Sequence, residues 1–243
     1  MTDTHTTQRQ KQAADRRPDA GGPLSRERVL VGARELADEI GIEEFTMRRL
    51  ATALGVKPMT IYHHVPGKEQ IIDGIVDMVF AEIVLPPLDQ PWTTAMRTRC
   101  RSAREVLARH PWATPLMETR STPGPATLRH HDAVLGCLRG GGLSLELTAH
   151  AYAVIDSYVY GFAMQEAALP FRGEEEIAGL AEQIVQAFPR GEYPHFVEFT
   201  TEHVLRPGYR FAVSFEIGLD LILEGIERIR RRADATDPSL PVT

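Results

Sequence analysis

One stretch constrains this chain more than any other. Residues 48–65, RRLATALGVKPMTIYHHV, hold two short helical patterns split by Gly55. Leu50, Leu54, Val56 and Ile61 fall where two crossing helices need apolar packing. Ala51 falls at the crossing, where only a small side chain fits. Gly55 falls in the turn, where a positive φ is needed. Helices this short are unstable without packing, and the flanks provide it. Val29, Leu30, Ala33, Leu36, Ala37 and Ile40 recur at helical spacing. Ser25 is placed to cap that helix, with Leu24 and Val29 as a hydrophobic staple, and Gly41 to end it. Thr46 opens the next helix the same way, with Phe45 and Leu50 as its staple. Pro58 suits the first position of a short third helix, about residues 58–64. The spacing predicts a three-helix unit over residues 24–68. A connecting helix follows, from Lys68 to about Leu85, carrying Ile71, Ile72, Ile75, Val79 and Ile83.

Beyond Leu-Pro-Pro at 85–87 and Pro91 the chain again reads as helices. They are expected near 92–109, 112–118, 125–139, 144–168, 174–188, 193–204 and 208–231. No run alternates convincingly with period two, so the expected fold is all-α: a small N-terminal domain and a larger helical domain over 86–231. Residues 1–23 are polar and end in Gly-Gly-Pro, which predicts a disordered arm. Its Arg9, Lys11, Arg16 and Arg17 are available to phosphates, although a solvated tail explains them as well. Residues 232–243 are expected to form a disordered tail. Two cysteines are too few for a disulfide framework, and the N-terminus has no apolar signal core, so a cytoplasmic protein is expected. The most apolar stretch, Leu145 to Met164, contains Glu146, His150 and Asp156. That composition favours a buried helix over a membrane span, and no membrane partner is expected.

A net charge of −6 argues against a nucleic-acid partner until its distribution is considered. Residues 46–68 contain Arg48, Arg49, Lys57 and Lys68 and no acid, on an otherwise acidic chain. With the packing positions assigned, Lys57, Pro58, Met59, Thr60, Tyr62, His63 and His64 remain on the outside of the third helix. Such a surface suits the major groove of DNA. It suits a metal poorly, because adjacent His63 and His64 diverge by about 100° on a helix. His130, His131 and Asp132 match no standard ligand spacing, and beside Arg129 they read as solvated. Gly140 to Gly142 lacks the order of a phosphate loop, and no nucleophile elbow or zinc motif is present. No metal, cofactor or catalytic residue is expected.

The run from Leu24 to Phe80 resembles the DNA-binding domain of the TetR family of transcriptional regulators. The resemblance lies in Gly41-Ile42, Phe45-Thr46-Met47-Arg48, Leu50-Ala51, Leu54-Gly55-Val56, Thr60-Ile61-Tyr62-His63-His64-Val65 and Gly67-Lys68. It implies that Arg48 contacts a base, that residues 57–64 form the recognition helix, and that Tyr62 and Lys68 contact phosphates. Pro58 replaces a base-reading glutamine of the tetracycline repressor, which implies a different operator. The rest is more loosely similar to a tetracycline-repressor type of C-terminal domain, through Thr119-Arg120, Gly141 to Leu145 and Tyr160 to Ala163. By this resemblance the protein is a DNA-binding homodimer, most simply a repressor released from a two-fold operator by a small apolar effector.

The residues agree with a dimer. The helix 144–168 is apolar on nearly all sides, and the last helix has a second apolar row at Val213, Ile217 and Leu221, although a purely intrachain core would use the same residues. Trp112, Met117, Tyr152, Tyr158, Phe162 and Met164 are candidates to line an effector cavity, with Arg120, Asp156 and Gln165 as polar anchors. The magnesium-binding positions of the tetracycline repressors align with Leu116 and Gln165, which argues against a magnesium–tetracycline complex. Two alternatives remain: an enzyme with a pocket in the helical domain, or a regulator without a ligand.

Overall fold

The computed structural model describes residues 23–169, 179, 183 and 191–236, and every regular element among them is a helix. The predicted arm and the predicted helix at 174–188 lie outside the described residues, apart from Pro23, Gly179 and Gln183. Three helices form the N-terminal unit: α1 (Arg26–Ile40), α2 (Met47–Ala53) and α3 (Pro58–Tyr62). Ser25 Oγ accepts from Arg28 N at 3.2 Å and Thr46 Oγ1 from Arg49 N at 3.2 Å, so both predicted caps form. Gly55 turns the chain at φ 67°, where a Cβ would be strained. Leu50, Ala51 and Ile61 are buried, and Phe45 closes the unit from below.

Helix α4 (Lys68–Glu82) packs along α1 and continues into the second domain, where α6 lies against it. It ends before the expected Leu85, because Ile83 is already extended at ψ 124°. The second domain is built from α5 (Trp92–Arg109), α6 (Pro125–Gly140), α7 (Leu145–Ala167) and α9 (Phe211–Thr236). Helix α7 is central and packs against α5, α6 and α9. The α7–α9 contact is close: a Cβ on Gly218 would lie 2.2 Å from the Tyr158 hydroxyl.

Three expected boundaries shift. Residues 111–116 form a 3-10 helix, Pro111–Leu116, with Pro115 inside it and i to i−3 bonds such as Ala113 N to His110 O at 2.9 Å. The helix expected over 193–204 is α8 (Pro194–Phe199) followed by a π turn, Thr200–Val204. The tail expected from 232 begins later, since α9 runs through Thr236; Arg230 reaches Asp234 at 2.8 Å and Glu227 at 2.8 Å along its surface.

Candidate nucleic-acid interface and ligand cavity

Helix α3 stands on the outside of the N-terminal unit. Ile61 points inward and is fully buried, while Lys57, Pro58, Met59, Tyr62 and His63 are exposed. Met59 is 68% exposed and Tyr62 43%, high values for apolar side chains. Thr60 and His64 are half-buried at the flanks, and Arg48 is exposed on neighbouring α2. The structure thus brings the predicted base-reading residues to one surface. Lys68 differs: its Nζ donates to the Phe45 carbonyl at 2.8 Å and lies over the Phe45 ring. One of its three donors holds the domain together, and two remain for a phosphate.

A second cluster joins the two domains. Asp38 of α1 accepts from Trp112 Nε1 at 2.6 Å and lies 2.6 Å from His110 Nδ1. Glu82, at the end of α4, meets Arg34 of α1 at 2.9 Å, Arg109 of α5 at 2.8 Å and His110 Nε2 at 3.3 Å. Burial pushes the Glu82 carboxyl up, but hydrogen bonds from Arg109 and His110 outweigh it and hold the group below its ordinary value.

The second domain contains a cavity of about 120 Å³ between α4, α6 and the loop 117–124. Phe80, Met117, Glu118, Arg120, Asp73 and His131 line it. Of the predicted ligand residues, Met117 and Arg120 are here, with Arg120 Nε donating to Asp73 at 2.6 Å and its Nη2 to Glu69 at 2.8 Å. Tyr152 is adjacent, its hydroxyl bonded to His131 Nδ1. Trp112 serves the domain joint instead. Tyr158 donates to the carbonyls of Ser214 and Phe215, each at 3.0 Å, and Phe162 stacks on Phe211, so both fasten α9 to α7. Gln165 and Met164 are exposed on α7, away from the cavity.

Near the cavity wall lies a buried group of which the sequence reading named Asp156, as a ligand anchor, and missed Arg99. Arg99 of α5 is fully buried; its Nη1 donates to Asp156 Oδ1 at 2.5 Å and its Nε to His130 Nε2 at 3.0 Å. Burial opposes the Arg99 charge and Asp156 more than restores it, so the guanidinium pKa lies above its ordinary value. Burial, then Arg99, then His131 push His130 down to about 3. The expectation that His130 is solvated is corrected: it is 0% exposed, because α6 turns it toward Phe80 and Arg99 while Asp132 faces water. A signal was present in Arg99 itself, which interrupts the apolar row Trp92, Met96, Ala103, Val106.

Comparison with known proteins identifies the family. The family model described as bacterial regulatory proteins, tetR family, matches residues 29–75, and that described as tetracyclin repressor-like, C-terminal domain, matches residues 85–230. The chain belongs to the TetR family of transcriptional regulators. Among TetR-family relatives it is 30% identical to the transcriptional repressor DrrR1 of Streptomyces coeruleorubidus, over 87% of this chain and 81% of that one. It is 28% identical to the class C tetracycline repressor protein of Escherichia coli, over 85% and 92%. Among solved structures, ActR of Streptomyces coelicolor in complex with (S)-DNPA superposes with TM-score 0.69 at 25% identity, covering 86% of this chain and 99% of that chain. The first two of these relatives are repressors by name. This TetR-family chain is a ligand-responsive DNA-binding regulator. No helix among its described residues is long and apolar enough to cross a membrane.

Proposed function

We propose that the protein is a homodimeric repressor that holds a two-fold operator with two α2–α3 units and releases it when a small, largely apolar molecule enters the second domain. The observation that carries this reading is the exposed α3 surface, set among cations in an acid-free segment. Arg48 and residues 57–64 read bases and Lys68 steadies the backbone; phosphate contacts set register and base contacts set sequence. The dimer is supported by an apolar strip on α7 and α9: Val154, Val213, Ile217 and Leu221 are all exposed, Leu221 by 68%. Strips of this kind are normally covered. Two reading heads on a dimer must sit about one DNA turn, roughly 34 Å, apart.

An effector that alters this spacing lowers DNA affinity, and DNA lowers effector affinity by the same factor. The Asp38 and Glu82 cluster supplies the mechanical link, since it ties α1 of the reading head to α5 and the 3-10 helix of the effector domain. The test is fluorescence anisotropy on DNA from upstream of the gene, against a scrambled duplex, over a salt series. The expected result is binding to the upstream duplex alone that weakens steeply with salt. Failure to bind either duplex at low salt refutes the reading.

A further inference from the structure

His110 stands where α5 meets the 3-10 helix and is buried, and both of its ring nitrogens face carboxylate oxygens. Nδ1 lies 2.6 Å from Asp38 Oδ1 and Nε2 lies 3.3 Å from Glu82 Oε2. A neutral imidazole has one N–H and one lone pair, and only the imidazolium donates from both nitrogens. The neutral ring therefore serves Asp38 or Glu82 but not both.

The surrounding contacts decide which one is given up. Trp112 Nε1 can only donate, and it donates to the same Asp38 Oδ1 at 2.6 Å, so that oxygen is an acceptor. The shorter contact keeps the remaining ring proton, on Nδ1. The lone pair of the neutral ring is then on Nε2 and points at Glu82 Oε2. Burial raises the Glu82 carboxyl, but hydrogen bonds from Arg109 and His110, with the charge of Arg34, bring it below its ordinary value. The two arginines keep Glu82 an anion when the ring is neutral, and an anion facing a lone pair repels it. Arg34 of α1 and Arg109 of α5 reach the ring only through Glu82. Helix α7 also packs against the 3-10 helix, but among the described residues none of its charged groups pairs with the ring.

The two carboxylates belong to different parts of the molecule. Asp38 is on α1 of the reading head, and Glu82 is the last residue of α4, before the chain becomes extended at Ile83. We propose that His110 is a proton-operated latch: with two ring protons it ties both α1 and the end of α4 to the second domain, and with one it keeps α1 and loosens α4. Closing takes one proton from water onto Nε2, and opening returns it, so the latch is closed at low pH and opens as the pH rises. Glu82 then keeps only its arginine pairs, of which Arg109 is exposed and screened. This device rests on the reading of the N-terminal unit as a DNA-reading head that the second domain repositions.

The test titrates the full-length protein, carrying isotope-labelled histidine, from about pH 5.5 to about pH 9 by nitrogen NMR, with His110 assigned by its loss in His110→Gln. Both ring nitrogens should carry a proton at the acid end, and Nδ1 alone at the alkaline end. Hydrogen exchange of the amides of residues 79–82, corrected for the intrinsic effect of pH, should rise about threefold as Nε2 loses its proton, as the loss of one modest hydrogen bond requires. Glu82→Gln should abolish that rise, because its amide donates to the neutral ring while its oxygen still accepts from Arg34. His110→Gln, which does not titrate, should abolish it too. Operator affinity should shift over the same pH range by about threefold more in wild type than in either variant, the sign telling which head spacing the closed latch holds. Three results overturn the proposal: an Nε2 that never changes protonation in this range, a neutral ring with its proton on Nε2, or pH dependence of exchange and operator affinity that is the same in wild type and both variants. Titration and exchange as expected, with no operator binding at any pH, leave the latch standing and refute the DNA-reading function instead.

Discussion

Arg99 enters the interior with its charge intact, and His130 answers it with a lone pair rather than a proton. The folded protein therefore refuses a proton that the unfolded chain accepts near its ordinary histidine value of 6.5. Such a group leaves stability whole above about pH 6.5 and erodes it as the pH falls from there toward 3, by up to about 1.4 kcal/mol per pH unit. Urea unfolding of wild type and His130→Gln at pH 7.5 and pH 5 measures this: the variant should lose less stability between the two, since its amide keeps an acceptor for Arg99 and does not titrate. Around α3, residues 57–64 include no Arg, Asn or Gln, and of the side chains that read purines through two hydrogen bonds only Lys57 is present. Exposed Met59 is suited instead to a thymine methyl group. Met59→Ala should weaken binding to a selected operator by about 1 kcal/mol, roughly fivefold. That loss should disappear on a duplex with uracil for the contacted thymine; an equal loss on both duplexes would refute the contact.

At the scale of helices, the joint between domains behaves as a unit. Asp38 holds two donors from the second domain, so Asp38→Ala strands the Trp112 N–H and should cost about 1–3 kcal/mol. Calorimetry should then show the N-terminal unit melting ahead of the rest, whereas one undiminished transition would mean that the joint carries no coupling. Glu82, held below its ordinary value, adds stability that is present above about pH 4.5 and is lost as the pH falls through its lowered value. The reading head was legible in the sequence because its determinants are local: Ser25 and Thr46 cap, Gly55 turns, and Leu50, Ala51 and Ile61 face inward in fixed order. The cavity was legible only in part. Its composition follows from which helix lies beside which, a matter of contacts between residues far apart in the chain. Met117 and Arg120 were recoverable, but Arg99 meets Asp156 across 57 positions, and no spacing announces such a pair. Tyr158 and Phe162 looked the same as cavity residues because packing and ligand contact select the same side chains.

For the whole molecule, the proposal that the strip on α7 and α9 pairs two subunits is open to a direct test. Ile217 is 59% exposed in the single chain, so Ile217→Glu should leave the fold intact and place a charge at the centre of a pairing surface. Sedimentation should show the variant as a monomer, with operator affinity reduced at least tenfold, since one head makes half the phosphate contacts. A variant that sediments like wild type would place the pairing surface elsewhere. The strip also has a genetic consequence. It does not test whether the partner's reading head works, so a subunit with a ruined α3 pairs as readily as a sound one. In a cell making both kinds, most assemblies contain at least one blind head. A lesion in α3 would therefore be dominant, silencing its healthy copies along with itself, whereas a lesion in the strip would be recessive.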